Sequence, residues 1–246
     1  MRIAILTDIH GNREAFDAVL EAARRDGVDR FVLLGDLVGY GPDPEYIVEQ
    51  SARLAEDGAI VIKGNHDEAV SLAKLSMSEN ARVAMLWTQP RMGKAHRDFL
   101  ESLPLTHREG ERLFVHASAS QPAKWIYVNS AAAAAASLGA TDAQHTFCGH
   151  THLPAHFHAL PGRAPAVFVP IANVAVPLSS IRRSVTVIGA VGQPRDGNAA
   201  ACYGLLDVKE KTVTMRRIPY AADETLRKIK DYGLPAWLGM RLLVGR

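Results

Sequence analysis

An α/β fold is predicted by three observations. Short apolar runs alternate with amphipathic helix patterns through the first hundred residues, further apolar runs dominate the second half, and polar residues follow several runs directly. The first run, "RIAIL", reads as a buried strand, and the helix after it gathers Phe16, Val19, Leu20 and Ala23 on one face. Asn12 is placed to cap that helix and Gly27 to stop it. A second strand, "RFVLL", leads through "GDLVGYGPDP" to a helix opening at Pro44, where the missing N–H costs nothing. A third, "AIVIK", runs into "IKGNHDEAV". This order argues for a largely parallel sheet with helices packed over it.

Residues 68 to about 103 read as helical, broken near "QPRMG", and form a candidate cap beside a site. From Glu111 onward the runs "RLFVHAS", "HTFCGHTH", "AVFVP", "SVTVIG", "CYGLLDV" and "TVTMRRI" make a strand-rich half. The alanines from Ala131 to Ala136 predict a short helix capped by Asn129 or Ser130. The C-terminal "AADETLRKIKDYGLPAWLGMRLL" reads as one or two helices. With no internal repeat and no flexible linker, a single domain over residues 1–246 is expected.

The composition, 48% hydrophobic and 22% charged, is that of a globular chain able to bury a sizeable core. A net charge of +2 provides no basic stripe and disfavours nucleic acid, so an acidic partner has to be recognised at a local site. Cys148 and Cys202 make no C-x-x-C pattern and read as small buried apolar residues, which fits a reducing compartment. The N-terminal apolar run stops at Asp8, unlike a signal peptide, and no run approaches the ~20 residues of a membrane span. A soluble cytoplasmic protein is expected, with no membrane partner; a homo-oligomer is compatible with the sequence.

Ligands of open α/β sheets bind beyond the carboxyl ends of strands, which gives weight to polar residues placed there. Asp8 and His10 follow the first strand and Asp36 the second; Asn65, His66 and Asp67 follow the third. His116 follows "RLFV", and His150 and His152 follow "TFC". Residues two apart in an extended chain point the same way, so Asp8 and His10 are expected to share one ion. Carboxylates with imidazoles and no thiolate suit Mn, Fe or Zn in a hydrolytic site better than a structural zinc. Singly, each block is also a turn; their ordered conjunction is what points to a site.

The ordered blocks "DIH", "GDLVG", "GNHD", "VHAS" and "GHTH" resemble the signature of the calcineurin-like metallophosphoesterase superfamily over roughly residues 1 to 160. "GDLVGYGPDPEYIVE" and "VGQPRDG" resemble its bacterial and archaeal phosphodiesterase-like branch, which includes diadenosine tetraphosphatase-like proteins. The resemblance implies a four-layer α/β/β/α sandwich with two facing mixed sheets. It implies a phosphoesterase using two divalent metal ions, Mn first and Fe, Zn, Ni or Mg as alternatives, on a phosphodiester or phosphoanhydride of a small phosphate-ester or nucleotide substrate. Carried over by position, Asp8, His10, Asp36 and His152 would hold one ion, and Asp36, Asn65, His116 and His150 the other. His66 would stabilise the transition state and protonate the leaving group, with Asp67 orienting it. A non-catalytic interaction module and a nuclease are the alternatives that share this resemblance.

Further residues have two readings each. Asn12 would reach phosphate or only cap its helix; Arg195 in "GQPRDGN" would hold phosphate or line a plain loop. Trp125 and Tyr127 would stack on a base or, more simply, join the core. His156 and His158 read as exposed strand residues, and His96, His107 and His145 as solvated. Two departures stand out. Related phosphodiesterases carry Asn-Pro-Gly-Ser where this chain has Val187 to Ala190, which alters the pocket and not the ligand set. The protein Ser/Thr phosphatases follow the bridging aspartate with an Asp-Arg pair; Gly39 and Tyr40 stand there instead, which argues against that activity.

Overall fold

Alternation along the first strand defines the layers. Ile3 and Ile5 enter one apolar cluster with Val32, Leu34, Phe114, Phe147 and Ile188, while Ala4 and Leu6 enter another with Phe16, Val19, Leu33 and Ile47. Successive strand residues face opposite ways, so one strand serves two interfaces at once. The computed structural model describes residues 1–72 and 77–246.

Among these residues, one sheet is built from β1 (Arg2–Leu6), β2 (Arg30–Leu33), β3 (Ile60–Val61), β9 (Ala175–Pro177), β11 (Ala201–Asp207) and β12 (Thr212–Ile218). The other contains β4 (Thr106–Glu109), β5 (Arg112–Val115), β6 (His145–Cys148), β7 (Ala155–Ala159), β8 (Ala166–Phe168) and β10 (Arg183–Val187). The orders are β3-β2-β1-β11-β12-β9 and β4-β5-β6-β10-β7-β8. Only β1, β2 and β3 pair in parallel in the first sheet; β11, β12 and β9 join by antiparallel pairing. The strand-helix alternation therefore describes half of that sheet. Antiparallel neighbours arrive from the far end of the chain, as the resemblance implied for mixed sheets.

Helices α1 (Arg13–Arg25), α2 (Pro44–Glu56) and α5 (Lys94–Ser102) cover the first sheet through Phe16, Val19, Leu20, Ile47, Val48 and Leu100. Each such large side chain, when fully buried, contributes roughly 1.5–3 kcal/mol. Helix α6 (Ala131–Gly139), capped by Ser130, covers the second sheet through Ala134 and Leu138 against Val185, Val187 and Phe157. The layers thus run helix, sheet, sheet, helix. Of the candidate cap at 68–103, the structure contains the end of α3 (Asn65–Ala69), α4 (Glu79–Thr88) and α5; residues 73–76 lie outside the described residues. Helices α7 (Ala222–Asp231) and α8 (Ala236–Met240) pack against α4 through Ile229, Leu234, Leu238, Ala81 and Ala84, close to Tyr40. No helix among the described residues is long and apolar enough to cross a membrane.

Candidate functional site

The seven candidate ligands leave the carboxyl ends of β1, β2, β3, β5 and β6. Parallel pairing of β2 with β1 and β3, and of β6 with β5 and β10, puts these ends on one rim. The loops are tied by main-chain bonds: Asp8 N–H to Gly35 O at 3.1 Å, His10 N–H to Asp36 O at 2.9 Å and Gly192 N–H to Asp8 O at 2.9 Å. Gly64 is where two loops touch, since a Cβ there would lie 2.2 Å from the backbone nitrogen of Asp36.

Asp8, His10, Asp36, His150 and His152 have φ of 52°, 51°, 53°, 66° and 60°, all in the left-handed region. Side chains other than glycine rarely adopt it, at roughly 1–3 kcal/mol each, and such residues cluster where surrounding structure holds them for function. This corrects the extended-chain argument. Asp8 and His10 do converge, but from a tight turn; His150 and His152 have the same spacing and belong to different donor groups.

The first group is Asp8, His10 and His152, with His10 Nε2 3.2 Å from His152 Nε2 and His152 Nε2 3.3 Å from Asp8 Oδ1. In the second, His116 Nε2 lies 3.1 Å from His150 Nδ1, 3.3 Å from Asn65 Oδ1 and 3.4 Å from Asp36 Oδ2. Asp36 Oδ2 also lies 3.7 Å from His10 Nε2, so this oxygen stands between the groups. Donors ~2.1 Å from a common ion lie roughly 3.0–3.4 Å apart at octahedral to tetrahedral angles, the spacing seen here.

Protonation supports the same reading. Nδ1 of His10 donates to Val38 O at 3.0 Å, that of His116 to Leu34 O at 2.7 Å and that of His152 to Gln193 O at 2.7 Å, which turns each Nε2 inward. Burial holds His10 and His152 well below the usual imidazole range, so both inward nitrogens are lone pairs. Two lone pairs 3.2 Å apart repel unless a cation lies between them. Asp8 Oδ1, facing the same point, is buried without a hydrogen-bond partner among the described residues. Burial raises the Asp8 carboxyl to about 7, and Asp36 adds to the rise. Burial opposes charge on His116, yet Asp36 and Asp8 raise it to about 9. Burial would raise Asp36 too, but the charged His116 beside it holds it well below the usual carboxylate range. The donor set fits divalent cations.

His66 is buried beside His10 and Tyr40, with ring centroids 4.8 Å away in each case. Its Nδ1 has no partner among the described residues. Asp67 is a correction: it does not orient His66. As the third residue of α3, its carboxylate turns back to accept from Gly64 N at 2.9 Å and reaches Leu37 N at 2.9 Å. It braces the Asp36 loop against α3 by the geometry of a helix N-terminus. Asn12 is likewise absorbed by the fold: its Oδ1 accepts from Ala15 N at 3.1 Å and its Nδ2 donates to Gly192 O at 2.8 Å and Tyr220 Oη at 3.3 Å. Both amide hydrogens are engaged, which corrects the phosphate-contact reading.

A cavity of about 550 Å³ opens over His66, His150 and His152, and Arg195, Trp125 and Tyr127 line it. Arg195 donates to Gln193 Oε1 at 2.8 Å and lies 5.7 Å from the Tyr40 ring centroid. Trp125 and Tyr127 are wall residues and not core; Tyr127 is 49% exposed and stacks on His150 at 4.1 Å. No local pattern in the sequence marks them as site residues, because a loop after β5 carries them there. Two other histidine readings change. His156 is buried, its Nδ1 3.0 Å from Thr186 Oγ1, and His145 is buried against Ser184 Oγ at 2.9 Å. Both face the interior between the sheets. His158, His96 and His107 are half-buried, and both cysteines are fully buried.

The calcineurin-like phosphoesterase superfamily domain matches residues 1–211. An uncharacterized protein of Methanocaldococcus jannaschii is 32% identical over 252 residues, covering 99% of this chain and 98% of that protein. A crystallised metallophosphoesterase from Sphaerobacter thermophilus is 36% identical with a TM-score of 0.87, covering 100% of this chain and 99% of that one. A hypothetical protein of Pyrococcus horikoshii shares the fold at a TM-score of 0.78 and 19% identity, over 100% of this chain and 98% of its own. With the family domain spanning most of the sequence, the chain belongs to the calcineurin-like phosphoesterase superfamily.

Proposed function

We propose that the protein hydrolyses a phosphodiester or phosphoanhydride, in a nucleotide or similar small ester, using two divalent cations of which Mn is the first candidate. The observation that carries this reading is the pair of inward donor groups with Asp36 Oδ2 between them. Asp8, His10 and His152 would hold one ion, Asn65, His116 and His150 the other, and Asp36 both. Ions bound there would supply Lewis-acid polarisation of phosphoryl oxygens and ready ionisation of water. Their combined charge exceeds that of two carboxylates, which favours an anionic ester.

The chain's own groups do the rest. Arg195, on the cavity wall, donates to a phosphate oxygen through the part of its guanidinium not used on Gln193. Burial lowers the His66 pKa, so the ring enters the reaction neutral. Nδ1 has no hydrogen-bond partner among the described residues, which favours the tautomer with the proton on Nε2, the one that would be offered to the oxygen on which charge develops. Metal content and a phosphoester panel test the reading: diadenosine tetraphosphate, cyclic nucleotides, bis-p-nitrophenyl phosphate and simple monoesters, each with Mn. His66→Ala is expected to lose about 10²–10⁴-fold in kcat while retaining metal. Activity within a few-fold of wild type would remove His66 from the mechanism, and absence of both bound metal and turnover would leave a non-catalytic module.

A further inference from the structure

Trp125 follows a short 3-10 turn, Pro122–Lys124, with φ 53° and ψ 39°, a left-handed conformation seldom adopted by a bulky side chain. Two contacts hold it there. Its indole Nε1–H donates to Glu68 Oε2 at 3.1 Å. Its ring meets His116 edge-on, with centroids 5.8 Å apart at 71°. Two residues on, Tyr127 lies flat against His150, at 11° between planes.

Glu68 belongs to α3, the helix that opens with Asn65. One loop therefore touches His116 and His150 directly and is fastened to the helix that carries Asn65. Those residues are the donors of the second cation group apart from the shared Asp36. The first group has no contact with this loop: its His10 is held by the Val38 carbonyl and its His152 by the Gln193 carbonyl, whereas His116 has the Trp125 ring in addition to its Leu34 carbonyl.

We propose that the Trp125–Glu68 hydrogen bond is a latch that sets the affinity of the cation site formed by Asn65, His116 and His150, separately from the site formed by Asp8, His10 and His152. Trp125 and Glu68 are positioning residues and touch no ion. Without the bond, the loop relaxes from its left-handed turn, and His116 and His150 lose the packing that fixes their rings. The second site then weakens while the first keeps its own supports. This rests on the two-ion reading above.

The test is Mn binding followed by calorimetry and by metal content after gel filtration, in Trp125→Phe, Glu68→Ala and Glu68→Gln. Phenylalanine keeps a ring against His116 and removes the donor; glutamine keeps an acceptor oxygen. Wild type is expected to take two Mn per chain. In Trp125→Phe and Glu68→Ala one binding step weakens by about 10–100-fold and the other stays within about twofold, while Glu68→Gln stays near wild type. The Mn electron paramagnetic resonance spectrum at limiting metal changes accordingly, from coupled pairs to isolated ions. Both positions are partly exposed, and circular dichroism confirms folding; Glu68→Ala carries the test if Trp125→Phe does not fold. Two-ion uptake with both steps unchanged in Glu68→Ala, or with both weakened alike, overturns the latch alone. A single ion in wild type overturns the two-ion reading and the latch together.

Discussion

Nδ1 of His66 packs on the backbone of Gly39, so closely that a Cβ at position 39 would stand 2.3 Å from it. Gly39 also has φ +87°, which a side chain would strain. In the protein Ser/Thr phosphatases an acidic residue occupies this place in the motif; here the imidazole meets bare backbone, and that nitrogen has no partner among the described residues.

Gly39→Ala should therefore displace His66 without removing a ligand. The expected result is a kcat lower by about 10²-fold at wild-type metal content, since a shift of an ångström at a reacting group costs on that order. Steady-state kinetics beside elemental analysis checks it. Normal kcat in a folded Gly39→Ala protein would show that His66 tolerates displacement.

Asp36 Oδ2 lies within 3.4 Å of His116 Nε2 and 3.7 Å of His10 Nε2, so one oxygen serves both donor groups. Asp36→Asn is expected to bring metal content from two ions per chain toward none. His152→Ala, which touches one group only, should leave about one. Elemental analysis after exhaustive dialysis distinguishes them, and an Asp36→Asn protein still holding two ions would contradict a shared ligand.

Metal uptake should release protons. In the metal-free site the Asp8 carboxyl titrates at about 7 and His116 at about 9, and each must be deprotonated to ligate. Apparent Mn affinity is thus expected to rise with pH from about 6 to about 9. Calorimetry in buffers of different ionisation enthalpy measures the protons released near neutral pH; a value of zero would refute the assignment.

His156 links folding to pH independently of metal. Burial, with His158 next, lowers it to about 4, against an ordinary value of 6.5. Between these values the unfolded chain binds the proton and the folded one does not. Its stabilising contribution is therefore complete above pH 6.5 and is lost as pH falls toward 4, by up to about 3 kcal/mol. Urea unfolding at several pH values should show a shallower acid limb in His156→Gln than in wild type.

The sequence carried the outline of the fold through periodicity. "RIAIL" and the face made by Phe16, Val19, Leu20 and Ala23 became β1 and α1, Pro44 opened α2, and the alanine run formed α6. It also marked the strand ends where Asp8, His10, Asp36, Asn65, His66, His116, His150 and His152 gather, because a chain arriving at a sheet edge must turn there. Periodicity says nothing of strand order, so the antiparallel addition of β11, β12 and β9 to the parallel β1–β3 unit was not legible.

What only the tertiary structure decided is which atoms face each other. Left-handed backbone at five candidate ligand positions, not strand alternation, aims Asp8 and His10 together and His150 and His152 apart. Asp67 turned to amides, Asn12 to its cap, and His156 and His145 inward, because buried polar groups settle on the partners that other segments bring. Residue types and their order are local properties of the chain and determined the family. The division of the inward-facing donors into groups, and the hold of Glu68 on Trp125, depend on loops distant in sequence meeting at one rim.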